Sequence, residues 1–91
     1  MTEQPAEEFL PDFPCEFPIK AMGLAQGDFD SLVVSLVRKH SPDIFEGAVR
    51  TRLSRGGRFM SVTVTIQAQS RSQLDRIYLE LTRNDRVIMA L

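Results

Sequence analysis

Cysteine and histidine are nearly missing from this chain, with Cys15 and His40 the only examples among 91 residues. A lone cysteine excludes an internal disulfide and the framework on which small secreted scaffolds depend, so a reduced, cytoplasmic setting is expected. No cluster of ligating side chains at metal-site spacing is present, and neither a metal nor another cofactor is expected. Long apolar runs are absent too. The longest, such as Val87 to Leu91, fall far short of the ~20 residues that cross a bilayer. The opening MTEQPAEEFLPDFP has no basic stretch ahead of an apolar one, so neither a signal peptide nor a membrane partner is expected. Basic residues are missing from positions 1–18, which carry Glu3, Glu7, Glu8, Asp12 and Glu16. At a net charge of −1 the whole molecule has no general attraction for nucleic acid.

What is present is unevenly placed. Residues 1–14 hold three of the five prolines and read as a flexible acidic arm, from which Phe9, Leu10 and Phe13 can dock. Residues 15–91, in a chain 43% hydrophobic, are expected to form a single small domain with a modest core, to which a partner can add stability. In its first segment Phe17, Ile19 and Ala21 alternate with Pro18, Lys20 and Met22, the period of a half-buried strand. Gly23 to Gly27 breaks that strand. Asp28 is the expected N-cap of a helix whose apolar stripe is Phe29, Leu32, Val33, Leu36 and Val37, and Pro42 stops it.

Gly56-Gly57 between two alternating runs predicts a two-residue hairpin turn that accepts positive φ at both central positions. Counting outward from Arg55 and Arg58 pairs Leu53 with Met60, Thr51 with Val62, Val49 with Val64 and Gly47 with Ile66 on an expected core face. The other face receives Ser54 with Phe59, Arg52 with Ser61, Arg50 with Thr63 and Ala48 with Thr65. Ser70-Arg71-Ser72-Gln73 has the form of a capping box, and Leu74, Ile77, Tyr78 and Leu81 follow as the stripe of a second helix ended by Asn84-Asp85. Arg86 to Leu91 reads as a last strand covered on both faces or by a partner. The order βαββαβ predicts an α+β ferredoxin-like domain, a four-stranded antiparallel sheet with two helices on one face and the other face open.

Phe13-Pro14 leading into Phe17, Lys20-Ala21-Met22-Gly23, Val37 to Pro42, Gly57 with Ser61 to Ile66, and Val87 to Leu91 together resemble the YbeD family of small bacterial proteins. The resemblance spans residues 13–91. It implies an ACT-like version of the same fold and brings no catalytic residues with it.

The sites rest on three features. Arg50, Arg52, Arg55 and Arg58 have the guanidinium forks that suit carboxylate or phosphate. For Arg55 and Arg58 the simpler account is charge that deters sheet-to-sheet association. Arg50 and Arg52 fall on the open face beside Ser61 and Thr63, where Lys20 also points, with Phe59 the one outward aromatic of its strand. This set is the expected contact for another protein or a second copy, as in a homodimer. Hydroxyls occupy the positions where RNA-binding sheets carry stacking aromatics, so nucleic acid is disfavoured beyond weak, salt-sensitive contact through the arginines. A second feature is the loop with Gly23, Gln26 and Gly27, an alternative site for a small amino-acid-like metabolite at a helix N-terminus. Asp28 and Asp30 oppose an anion there. Third, His40 reads as a charge partner for a helix C-terminus and Cys15 as an incidental thiol. The arginine-bearing phosphate loop of acylphosphatases, which share this topology, is absent, and no catalysis is expected. The expected function is a binding or regulatory module.

Overall fold

The computed structural model describes residues 12–91; most of the expected arm, with Phe9 and Leu10, lies outside the described residues. The elements are β1 (Cys15–Leu24), α1 (Phe29–Arg38), β2 (Val49–Leu53), β3 (Phe59–Ala68), α2 (Arg71–Thr82) and β4 (Met89–Ala90). All strand pairs are antiparallel, in the order β2-β3-β1-β4. This is the expected ferredoxin-like arrangement. The core lies between one sheet face and the helices: Ile19, Ala21, Val62 and Val64 meet Phe29, Val33, Val37, Ile77 and Leu81, all fully buried. Phe13 is half-buried against this cluster.

Several local expectations need correction. Asp28 occupies the N-cap position of α1 without capping it, because its φ of −105° and ψ of 34° are not the extended geometry that aims a side chain at the first free amides. Its carboxylate instead accepts a hydrogen bond from Arg86 Nη1 at 3.0 Å. Ser70 does cap α2, accepting from the Gln73 amide at 3.1 Å. The return bond is displaced by one residue: Gln73 Oε1 accepts from the Gln69 amide at 2.7 Å.

The β2–β3 ladder has the counted register, from Val49 opposite Val64 to Leu53 opposite Met60, and Gly56 and Gly57 have φ of 86° and 76°. The connection is longer than a two-residue turn. The Ser54 amide donates to the Phe59 carbonyl at 2.8 Å and Ser54 Oγ accepts from the Phe59 amide at 2.9 Å, so residues 55–58 form the loop. Arg58 does not close on Arg55 because its carbonyl accepts from the Ala25 amide, at 2.9 Å, beyond the end of β1. At the other end Gly47 and Ala48 belong to the short turn Glu46–Ala48, and the ladder begins only at Val49.

The face expected to be core is buried only in part. Val62, Val64 and Ile66 of β3 are buried, but Val49 is half-buried and Thr51 and Leu53 are exposed, Leu53 to 56%. The helix stripes seat on the central strands β1 and β3, leaving the edge strand overhanging. The last strand is also shorter and barer than expected. The Arg86 amide donates to Asn84 Oδ1 and the Val87 amide to the Asn84 carbonyl, so a turn persists to Val87. Val87 is buried, whereas Ile88, Met89 and Leu91 are exposed.

Candidate functional site

Cross-strand pairing decides which side chains meet on the open face. Lys20 stands opposite Thr63, and Thr63 opposite Arg50, forming one row across β1, β3 and β2. The adjacent row is Met89, Met22, Ser61 and Arg52, across all four strands. Directly opposed residues bring their Cβ atoms to about 4.5–5.5 Å, so five of the six expected contact residues form one continuous patch. Phe59 lies in the next row, opposite Leu24, with the Arg58 guanidinium 5.5 Å from its ring centroid. That contact engages the one outward aromatic of β3 in a cation–π pair.

No ion pair joins Lys20, Arg50 or Arg52 to another described residue. Their side chains are exposed, and all three are strand residues. On the β4 side the patch has an apolar border that pattern reading missed. Leu91 exchanges backbone hydrogen bonds with Lys20, at 2.7 and 3.0 Å, which sets Leu91 beside Met22 and Met89 on the same face. The sequence carries no alternation that marks this border, because Val87 to Leu91 is apolar at every position, and only the pairing of β4 with β1 assigns Met89 and Leu91 to the open face.

The depressions near this face are small. One of about 240 Å³ at its foot is lined by Glu16, Arg50, Thr65 and Gln67, and one of about 170 Å³ lies beside Arg52, Met22 and Phe59. Both fall below the roughly 300–1,000 Å³ of small-molecule sites. A larger groove of about 400 Å³ runs between α1 and the overhanging β2, lined by Val34, Arg38, Phe45 and Val49.

The loop 23–27 is tightly engaged. A Cβ at Gly23 would collide with the Arg86 carbonyl and the Phe29 ring. The amides of Ala25, Gln26 and Phe29 all donate within the backbone, to Arg58, Leu24 and Gln26 carbonyls respectively. Arg86, absent from the expected site, reaches across to donate to the Gln26 carbonyl at 2.9 Å and to Asp28, and lies 6.0 Å from the Phe29 ring centroid. Its hydrogen bond holds the Asp28 carboxyl below its ordinary value. Gly27 is exposed, at a φ of 49°.

His40 links the helices: its Nε2 lies 3.1 Å from Glu80 Oε1, while Lys39 Nζ donates to Glu80 Oε2 at 3.1 Å. The His40 hydrogen bond, then that from Lys39, holds the Glu80 carboxyl below its ordinary range. Cys15 is partly exposed at the start of β1. Among the described residues, no helix is long and apolar enough to cross a membrane and no group of three or more His, Cys, Asp or Glu is arranged to hold a metal ion.

The family model described as "Protein of unknown function (DUF493)" matches residues 8–91. The chain belongs to the DUF493 family. Curated members of the family are close in length and sequence. A "UPF0250 protein" of Chromobacterium violaceum is 46% identical over 91 residues, covering all of both chains. UPF0250 protein NE1487 of Nitrosomonas europaea is 45% identical, covering 93% of this chain and 98% of its own. These relatives are the small bacterial proteins to which the YbeD resemblance pointed. Among solved structures, the solution structure of HP0495 from H. pylori superposes with a TM-score of 0.67 over 100% of this chain and 98% of that one. At 16% identity, that likeness establishes the shared fold alone.

Proposed function

We propose that this DUF493 protein is a non-catalytic, cytoplasmic binding module that recognises another protein through its open sheet face and acts on it as a regulator. The observation that supports the reading is the row Lys20–Thr63–Arg50 beside Ser61–Arg52, a cationic and hydroxyl-bearing patch with no described ion-pair partner and an apolar border at Met22, Met89 and Leu91. Such a surface has a flat shape and mixed chemistry suited to a polypeptide with acidic and apolar side chains.

A second copy meets this face less well through the β2 edge. Antiparallel pairing of two β2 strands centred on Thr51 sets Arg50 of one copy against Arg52 of the other, and like charges directly opposed destabilise a sheet. The metabolite reading is weaker because the amides of Ala25, Gln26 and Phe29 in and beside the 23–27 loop already have acceptors.

Replacing Arg50 and Arg52 with Glu tests the proposal. The amide NMR spectrum of the double variant should keep the dispersion of the wild type, while proteins captured by the wild type are lost. Equal capture by both removes this face. Titration with pooled metabolites should leave residues 23–30 unshifted, and RNA-dependent shifts along 50–65 would favour nucleic acid instead.

A further inference from the structure

The outer edge of β2 has the backbone groups to take a further strand. Hydrogen bonds in an antiparallel ladder alternate, so every second residue of an edge strand turns its amide and carbonyl away from its neighbour. Two contacts fix the phase in β2. Ser54 donates to the Phe59 carbonyl at 2.8 Å, and Lys20 exchanges bonds with Leu91, which turns Lys20 away from Thr63 and Thr63 toward Arg50. Arg50 and Arg52 therefore bond to β3, whereas the amides and carbonyls of Val49, Thr51 and Leu53 point outward. Among the described residues β2 pairs with β3 alone, and neither proline nor a break in register interrupts its five residues. The opposite edge, β4, has only two.

The two faces of this edge differ in chemistry. On the open face stand Arg50 and Arg52, without ion-pair partners among the described residues. On the helix side Val49 is half-buried and Leu53 exposed, and the groove of about 400 Å³ beside Val49 is lined by Val34 and by Phe45, itself 73% exposed. Asp30 and Arg38 also line that groove with opposite charges, so it draws neither sign. A strand laid about 4.8 Å outside β2 sets alternate side chains over these two faces.

We propose that β2 accepts an extended segment of a partner protein as an antiparallel fifth strand, with acidic side chains opposite Arg50 and Arg52 and apolar ones opposite Val49, Thr51 and Leu53. This rests on reading the open face as a protein-binding surface, and it adds the partner's conformation and its pattern, apolar–acidic–apolar–acidic–apolar. Outward backbone groups supply the attachment, and the arginines choose the sequence. The charges that set a second β2 at a disadvantage favour an acidic strand. Glu16 and Asp43 share a depression with Arg50, so the acid opposite Arg52 has the more favourable field.

A capped synthetic peptide alternating Val with Glu is the probe, titrated into the full-length chain. It should shift the amides of Val49, Thr51 and Leu53 most and slow their hydrogen exchange. Antiparallel pairing turns the amides of its Val residues toward β2 and those of its Glu residues to solvent. N-methylation at Val should therefore abolish binding, and N-methylation at Glu should leave it unchanged. Arg50→Glu/Arg52→Glu should weaken binding about tenfold, since two cross-strand pairs reverse sign. Thr51→Pro, which removes an outward amide on an edge strand, should abolish it while the rest of the amide spectrum persists; the methylated peptides make the same test with no change to the protein. No shift at millimolar peptide overturns the proposal. So does slow exchange of Val49, Thr51 and Leu53 in the dilute, peptide-free protein, which would mean that a second copy or residues 1–11 already occupy the edge. If both methylated peptides bind alike and the arginine variant loses them, strand addition falls and the open-face reading stands. If binding follows methylation but ignores the arginines, the choice of an acidic strand is overturned, and the open-face reading with it.

Discussion

Gln73 donates its side-chain amide to the His40 carbonyl at 2.8 Å, joining the start of α2 to the turn that ends α1. The same side chain accepts from the Gln69 amide, and both contacts are made by a residue only 8% exposed. One glutamine therefore serves a helix start and a helix end 33 positions apart.

Gln73→Ala should remove two part-buried hydrogen bonds, at about 0.5–1.5 kcal/mol each, lowering stability by about 1–3 kcal/mol. For a domain of this size that is a drop of at least about 4–8 °C in Tm. Chemical denaturation measures it, and a change within error would remove the helix-linking role.

Asp28 supplies a pH dependence of known sign. Its carboxyl is held below its ordinary value of 3.8, first by the hydrogen bond from Arg86. A depressed carboxyl contributes stability above its unfolded pKa and loses it as pH falls through the folded one. Asp28→Ala should lower the unfolding midpoint at neutral pH, and the gap from wild type should close on acidification well below 3.8. A gap that persists in acid contradicts the assignment. Glu80 follows the same sign, through His40 and Lys39.

Gly23→Ala tests whether the 23–27 loop is structural. The added methyl meets the Arg86 carbonyl and the Phe29 ring, neither of which is the loose end of a side chain. Overpacking of this kind costs about 1–3 kcal/mol. Thermal unfolding should show it, whereas an unchanged midpoint would mean that the loop yields easily.

The hairpin loop makes a smaller prediction. Gly56 has a φ of 86°, where an L side chain is strained, so Gly56→Ala should cost about 1–2 kcal/mol although open space surrounds it. Ser54→Ala, which removes the hydroxyl acceptor of the Phe59 amide, should cost about 0.5–1.5 kcal/mol. Urea midpoints of the two variants compare the effects directly.

Much of the fold was legible because local chemistry encodes it. The period-two alternation of Phe17 to Met22, the stripe from Phe29 to Val37, the Ser70 cap and the register set by Gly56-Gly57 each depend on residues close in sequence, where few arrangements compete. From these the placement of Arg50 beside Thr63 and Arg52 beside Ser61 could be counted. The loop length could not, because the Arg58 carbonyl is taken by Ala25, a residue just past the end of the neighbouring strand β1 and far away in sequence.

By itself, then, the sequence determined the order of elements, the hairpin register and which residues carry charge. Tertiary structure alone decided that Lys20 completes a row with Thr63 and Arg50, that Leu53 stays exposed under an overhanging β2, and that Arg86 reaches Asp28 across the fold. The physical reason is that distant segments are aligned by the summed burial of two helices on β1 and β3. No short turn fixes that alignment, and no local pattern records which edge of the sheet those helices leave bare.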